Sequence, residues 1–310
     1  AIGLILRLGK PVVWRLSDMW PFTGGCHYSG GCLRYEASCG RCPLLGSRRE
    51  YDLSRIVWSS KRRYWDTRNL TVVSPSQWLA DCASRSALFR EARVEVIPTG
   101  VDTTLFRPVP RRRARSLLGL PQDKDLVLFG AADSMGDPRK GGQFLQEIFE
   151  VLRAGARVDS MCLVAFGTWV PPKDVGVETI AVGTLWDEPS LAILYSACDV
   201  FVAPYMEDNL PNTIIESLSC GTPCVAFRVG GIPELIAHRE NGYLAPPFDT
   251  GEMAQGIRFV LDSDYQALRR RTRRKAERDL SLKRCAESYV SLFSELLQDR
   301  DGCAESSRRR

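Results

Sequence analysis

From Leu126 onward, short apolar runs alternate with segments of helical periodicity. This rhythm limits the fold more than any other feature of the chain. The runs are Leu126–Phe129, Met161–Phe166, Val177–Val182, Val200–Ala203 and Cys224–Phe227, and residues 142–152, 190–198 and 212–220 separate most of them. Runs this short and mostly apolar, with 177–182 alone interrupted by Glu178 and Thr179, read as strands buried in a sheet. Strands buried that way belong to a parallel sheet, and parallel neighbours need crossover helices between them. The pattern predicts an α/β fold with a doubly wound parallel sheet, closed by helices over residues 251–261 and 265–297.

Within this rhythm, the stretch from Val200 to Phe227 carries the chemistry. Strand, polar turn, helix, Gly221-Thr222-Pro223 and strand make one βαβ unit, with Pro211 suited to a first helical position. Ligands in such units sit beyond the carboxyl ends of the strands. Asp208 falls in that crevice, and Glu216, eight residues later, lies further down the helix within reach of a ligand there. The bland alternative makes Asp208 a helix cap and Glu216 a solvated helix residue. Earlier in the same half, Gly130 closes a strand and Asp137-Pro138-Arg139-Lys140-Gly141-Gly142 precedes a helix. Arg139 and Lys140 would bring fixed positive charge to the crevice, although two adjacent basic residues on a surface loop need mean nothing.

The first hundred residues are less regular. Residues 10–16 and 70–73 read as strands, 61–65 as helix, and 94–97 as the next strand. Ser74 or Ser76 would cap a helix that begins near Gln77. Phe106-Arg107-Pro108-Val109-Pro110 reads as a stiff linker, so the expected domains are 1–106 and 107–310. A long irregular stretch, rich in Gly and Cys, lies between the first strand and first helix. In it, Cys26, Cys32, Cys39 and Cys42 are spaced C-x5-C-x6-C-x2-C, and Cys39-Gly40-Arg41-Cys42 has the knuckle form of a zinc ligand pair. Three readings stay open: structural zinc, with His27 as an extra ligand; reduced unpaired thiols; and disulfides. Cys82, Cys162, Cys198, Cys220, Cys224 and Cys285 lie in apolar contexts and read as core filler.

Charge and cysteine content narrow the compartment and partners. The net charge of +5 is modest, but basic runs at 111–113, 269–275 and 308–310 concentrate it. A solvated face explains them, and contact with an anionic membrane surface is the functional alternative. No nucleic-acid recognition motif accompanies the charge. Eleven cysteines, an odd number, without an export signal or a run long enough to span a membrane, point to reduced thiols and a cytoplasmic chain.

The string Asp208-Asn209-Leu210-Pro211-Asn212-Thr213-Ile214-Ile215-Glu216, with Gly221-Thr222-Pro223 after it, resembles the donor-site signature of retaining, nucleotide-sugar-dependent glycosyltransferases of family 4. Trp20-Pro21-Phe22-Thr23-Gly24-Gly25-Cys26-His27-Tyr28 resembles a subgroup of the same enzymes. The likeness runs from about Pro11 to Leu297, and the chain enters partway through the family's N-terminal domain, as a truncated chain would. The resemblance implies two Rossmann-like domains in the GT-B arrangement, the first incomplete. It implies that Glu216 hydrogen-bonds ribose hydroxyls and Asp208 lies by the donor sugar. Asn209, Leu210, Pro211 and Asn212 would present backbone groups to sugar and phosphate oxygens at a positive helix end. Gly130 would line the donor, Arg139 and Lys140 would stabilise the leaving diphosphate, and Leu185 would touch the base. The segments 229–234 and 241–244 also resemble family loops. One position departs: many members carry His-Asp, with the His facing the donor sugar, where this chain has Ser17-Asp18, so either the Ser17 hydroxyl takes over that donor hydrogen bond or His27 folds back to supply an imidazole.

The expected activity is sugar transfer with retention from a nucleotide-diphosphate donor to a glycan or lipid-linked acceptor, in surface polysaccharide synthesis. No cofactor or divalent cation is expected in catalysis. The chain would be cytoplasmic, with peripheral contact at the inner face of the cell membrane and no nucleic-acid partner. Two rivals are a non-catalytic nucleotide-sugar binder and a zinc-stapled nucleic-acid binder.

Overall fold

The computed structural model describes residues 2–131, 137–154, 160–168 and 175–308. It divides into two compact units, Ala1–Pro98 with Lys283–Arg310, and Thr99–Leu282. The expected break after Phe106 is therefore displaced. Phe106 is only 3% exposed in the core of the second unit. Its carbonyl and that of Thr103 accept hydrogen bonds from Arg273. The segment that reads as a proline-stiffened linker is thus anchored at Phe106, while Arg107, Pro108 and Pro110 are exposed.

The first unit holds α1 (Ile2–Leu6), β1 (Val12–Arg15), α2 (Leu53–Tyr64), β2 (Leu70–Ser74), α3 (Gln77–Arg85) and β3 (Arg93–Val96). Its strands form a parallel sheet in the order β1-β2-β3. Among the described residues between β1 and α2, only three short 3-10 turns interrupt irregular backbone, at Trp20–Phe22, Arg34–Glu36 and Pro43–Leu45. Helix α2 starts well before the expected Lys61 because Asp52 caps it, accepting from Arg55 N–H. The other Asp52 oxygen accepts from Cys42 N–H at 2.8 Å, which ties the cysteine segment to the helix. Lys61, 5% exposed, donates to the carbonyls of Trp20 and Thr23 from the same helix. Ser76 caps α3 through Leu79 N–H, as its sequence position suggests.

The second unit follows with α4 (Arg111–Leu118), β4 (Asp125–Ala131), α5 (Leu145–Arg153), β5 (Met161–Gly167), β6 (Glu178–Gly183) and α6 (Glu188–Ala197). It continues through β7 (Val200–Ala203), α7 (Asn212–Ser219), β8 (Cys224–Phe227), α8 (Ile232–Leu235), β9 (Gly242–Ala245), α9 (Thr250–Asp262) and α10 (Tyr265–Asp279). Six parallel strands lie in the order β6-β5-β4-β7-β8-β9. Side chains alternate between the faces, as the pleat requires. Leu126 and Leu128 join one core with α6 and α7, while Val127 and Phe129 join another with α5 and α9. The expected single helix over 265–297 is two: α10 ends near Leu280, and Ser281 bridges to Val101. The second piece, α11 (Leu282–Arg308), lays Leu292 against Val73 and Ile97 of the first unit.

Two of the basic runs prove partly structural. Arg111 donates to the buried Asp199 at 2.5 Å, and just beyond that run Arg115, 1% exposed, donates to the same carboxylate at 2.7 Å and to four backbone carbonyls. Arg269 and Arg273 likewise bond main-chain oxygens of Ser196, Cys220 and Ser219. Arg270, Arg271 and Arg274 remain exposed. The run at 308–310 lies outside the described side chains.

Candidate functional site

The strand order reverses direction between β4 and β7, so the loops after these strands diverge to opposite faces and leave a crevice at their carboxyl ends. Lys140 reaches this switch point from the loop after β4, and Asp208 from the loop after β7. Lys140 Nζ donates to Asp208 Oδ2 at 2.8 Å and lies 4.3 Å from the centre of the Tyr205 ring. The two residues are far apart in sequence, and the sheet topology is what brings them together.

Backbone contacts hold the loops in register. Met206 N–H donates to the Arg139 carbonyl at 2.7 Å, and Gly231 N–H donates to the Asp208 carbonyl at 3.1 Å. Gly141 has φ +73, and a Cβ there would fall 1.8 Å from the Pro204 carbonyl oxygen. Gly230 is equally constrained against Asp208, with φ +54. The pair Gly230-Gly231 thus serves the backbone of Asp208. Gly130 is glycine because a side chain would strike the Phe166 carbonyl of the neighbouring strand, which is a sheet-packing reason.

The carboxylates and cations are paired in this state. Arg139 donates to Asp137 at 2.9 and 2.5 Å. Burial pushes the Asp137 carboxyl up, but the bonds from Arg139 outweigh it and leave the group below its usual range. Glu216 projects from the middle of α7 and accepts from Tyr195 Oη at 3.0 Å. Burial raises its pKa above the ordinary 4.5, with the Tyr195 bond opposing. Neither bland alternative holds. Pro211 occupies the cap position of α7, so Asp208 is not the cap, and Glu216 is desolvated rather than solvated. Asn209 and Leu210 are buried beside them, and Asn212 opens the helix in the open. Leu185 packs partly on the core beyond β6, and its neighbour Trp186 is 91% exposed.

Tyr195 and Asp137 were not legible as site residues. Tyr195 reads as one more core aromatic of α6, and it does meet Phe166 and Phe201 edge-on at 5.9 and 5.8 Å. Only the fold reveals that its hydroxyl aims at Glu216.

In the first unit, Ser17 is exposed just beyond the carboxyl end of β1. Asp18 bonds the His27 ring at 2.7 Å through Oδ2 and accepts Trp20 N–H through Oδ1. The His27 ring thus lies beside Asp18, just past the carboxyl end of β1. The four loop cysteines border one cavity, and none forms a disulfide. Burial raises the Cys26 thiol and holds Cys39 at about 11. Among the described residues, no group of three or more His, Cys, Asp or Glu side chains is placed to hold a metal ion. Cys82, Cys162, Cys198, Cys220 and Cys224 are buried, and Cys285 is half-buried.

Residues 123–263 match the sequence family described as Glycosyl transferases group 1. Among solved structures, sucrose-phosphate synthase from Thermosynechococcus elongatus superposes with TM-score 0.71 at 23% identity, covering 96% of this chain and 70% of its own. Anabaena Alr3699/HepE in complex with UDP gives 0.64 at 20%, covering 92% and 72%. The fold is that of the GT-B glycosyltransferases. A D-inositol 3-phosphate glycosyltransferase of Mycolicibacterium paratuberculosis is 29% identical over 220 residues, 66% of this chain and 44% of that protein. Its counterpart in Acidothermus cellulolyticus is 30% identical over 187 residues, 56% and 42% of the two chains. The chain thus spans less than half the length of these curated relatives. No helix among the described residues is long and apolar enough to cross a membrane.

Proposed function

We propose that the protein transfers a sugar, with retention, from a nucleotide-diphosphate donor to a glycan or lipid-linked acceptor in surface polysaccharide synthesis. The observation that carries this reading is the Lys140–Asp208 pair at the switch point, with Glu216 on the helix between β7 and β8. Lys140 and Arg139 exchange their carboxylate partners for the leaving diphosphate. Positive charge fixed there stabilises the negative charge that grows as the glycosidic bond breaks. Glu216, held by Tyr195, accepts ribose hydroxyls, while Asp208 and the amides of Asn209 to Asn212 orient the sugar. Leu185 borders the base and Gly130 the phosphate. The donor phosphate acts as base in front-face attack, with no divalent cation required. The first unit carries the acceptor side. The chain works in the cytoplasm, at the inner face of the cell membrane.

A thermal-shift panel of nucleoside diphosphates and their sugars tests the class and names the base together. UDP and UDP-glucose enter it first, because the Anabaena neighbour has been solved with both. One nucleotide family should stabilise the protein, and donor consumption should accompany it. Binding without transfer or hydrolysis would leave a nucleotide-sugar binder only, and no shift from any donor would sink the proposal.

Glu216→Ala is expected to weaken nucleotide binding by about 1–3 kcal/mol, the range for lost hydrogen bonds to a charged group. Tyr195→Phe should lower the affinity less, since it removes only the group that positions the carboxylate. The ionised form of Glu216 is the one that accepts ribose hydroxyls. Its raised pKa means that affinity falls, as pH is lowered, at a higher pH than the ordinary 4.5 would give. Calorimetric titration across acid pH checks this. Affinity equal to wild type in folded Glu216→Ala would remove the residue from the site.

A further inference from the structure

Although the cysteine segment has zinc-like spacing, it encloses a cavity of about 450 Å³, which falls in the range of small-molecule pockets. Its walls are largely apolar, with Tyr35, Leu44, Leu45, Leu53 and Val57 prominent. The cysteines border it as small apolar groups. Leu44, Leu45 and Leu53 are each more than half exposed at its edge, and Ile56 and Tyr51 stand out nearby. A single exposed leucine is ordinary, but five large apolar side chains within residues 44–56 beside an apolar cavity mark an interaction site.

The charges nearby are of one sign where they are unpaired. Arg34 lines the cavity, and Arg48 and Arg49 lie on the loop that carries Leu44 and Leu45. That loop is closed at its neck by Arg41 N–H to the Arg49 carbonyl and by Ser47 N–H to the Cys42 carbonyl. Arg41 and Arg55 share Glu50. Arg34, Arg48 and Arg49 have no ion-pair partner among the described residues. An apolar cavity with unpaired guanidinium groups beside it suits a ligand with an aliphatic chain and an anionic head.

We propose that this cavity binds the aliphatic chain of an anionic lipid, with Arg34, Arg48 and Arg49 meeting its phosphate. The inference adds a ligand class to the acceptor side of the reading above. Its test involves no turnover, so its failure and the failure of that reading are distinguishable.

The probe is dodecyl phosphate, titrated calorimetrically into the chain below its micellar concentration. Octyl phosphate, dodecyl maltoside and inorganic phosphate serve as comparisons. One dodecyl phosphate per chain should bind, and octyl phosphate should bind at least about tenfold more weakly because fewer methylenes are buried. Inorganic phosphate should not compete at similar concentration. Leu45→Asp and Leu53→Asp, both at exposed positions, should each lower affinity at least about tenfold with unchanged circular dichroism. The double variant Arg48→Ala/Arg49→Ala should weaken dodecyl phosphate binding in low salt and leave dodecyl maltoside unaffected. The proposal is overturned by equal affinity for the two chain lengths, by full competition from inorganic phosphate, or by binding indifferent to Leu45→Asp and Leu53→Asp. One zinc per chain in metal analysis, held by these cysteines with no lipid bound, would overturn it as well.

Discussion

Lys140→Ala is expected to lower the rate of sugar transfer by about 100-fold or more, with a smaller rise in the Michaelis constant for the donor. The reason lies in when its charge matters. Lys140 is already satisfied by Asp208 at 2.8 Å, so exchanging that carboxylate for a ground-state phosphate gains little. As the glycosidic bond breaks, charge builds on the diphosphate, and a cation fixed beside it is worth more than in the bound substrate. Binding of the bare nucleoside, which carries no phosphate, should be untouched. Steady-state rates against donor concentration, with nucleoside and nucleoside diphosphate affinities measured in parallel, separate these effects. Normal turnover in the variant, or equal loss of nucleoside and diphosphate binding, would make Lys140 surface charge.

The largest stability effect is predicted far from the nucleotide, at Asp199. Its carboxylate is 4% exposed and accepts from Arg115 and from Leu126 N–H, both at 2.7 Å, and from Arg111 at 2.5 Å. Asp199→Ala leaves the buried Arg115 guanidinium without its counter-charge and should cost about 3–5 kcal/mol. Replacing the buried pair together, as Asp199→Leu with Arg115→Met, should cost less than the single change, because no uncompensated charge remains. Denaturant titration of the three proteins measures this. A single variant as stable as wild type would mean that the buried pair contributes nothing to the unit.

The second unit was legible because most of its strands are short and apolar, and buried parallel strands have few other ways to read; the edge strand β6, with Glu178 and Thr179, is the exception. The first unit was harder, because hydrogen bonds from side chains hold its long irregular segment. Asp52 to Cys42 and Lys61 to Trp20 are examples. No periodicity announces such contacts. In the site, Arg139, Lys140, Asp208 and Glu216 were named from their string and spacing, but their state was not. That Lys140 bonds Asp208, and that Tyr195 holds Glu216, depends on the order of strands in the sheet. The linker reading of Phe106 to Pro110 failed for a related reason: proline marks stiffness in either setting, and burial of Phe106 depends on the rest of the unit.

The most direct test of the donor-site account is a crystal structure with the nucleoside diphosphate that the thermal-shift panel selects. The diphosphate is expected within hydrogen-bond distance of Lys140 Nζ and the Arg139 guanidinium, with the Lys140–Asp208 contact opened. The ribose hydroxyls should meet Glu216. A nucleotide bound elsewhere, with Lys140 still on Asp208 and Glu216 still only on Tyr195, would contradict it.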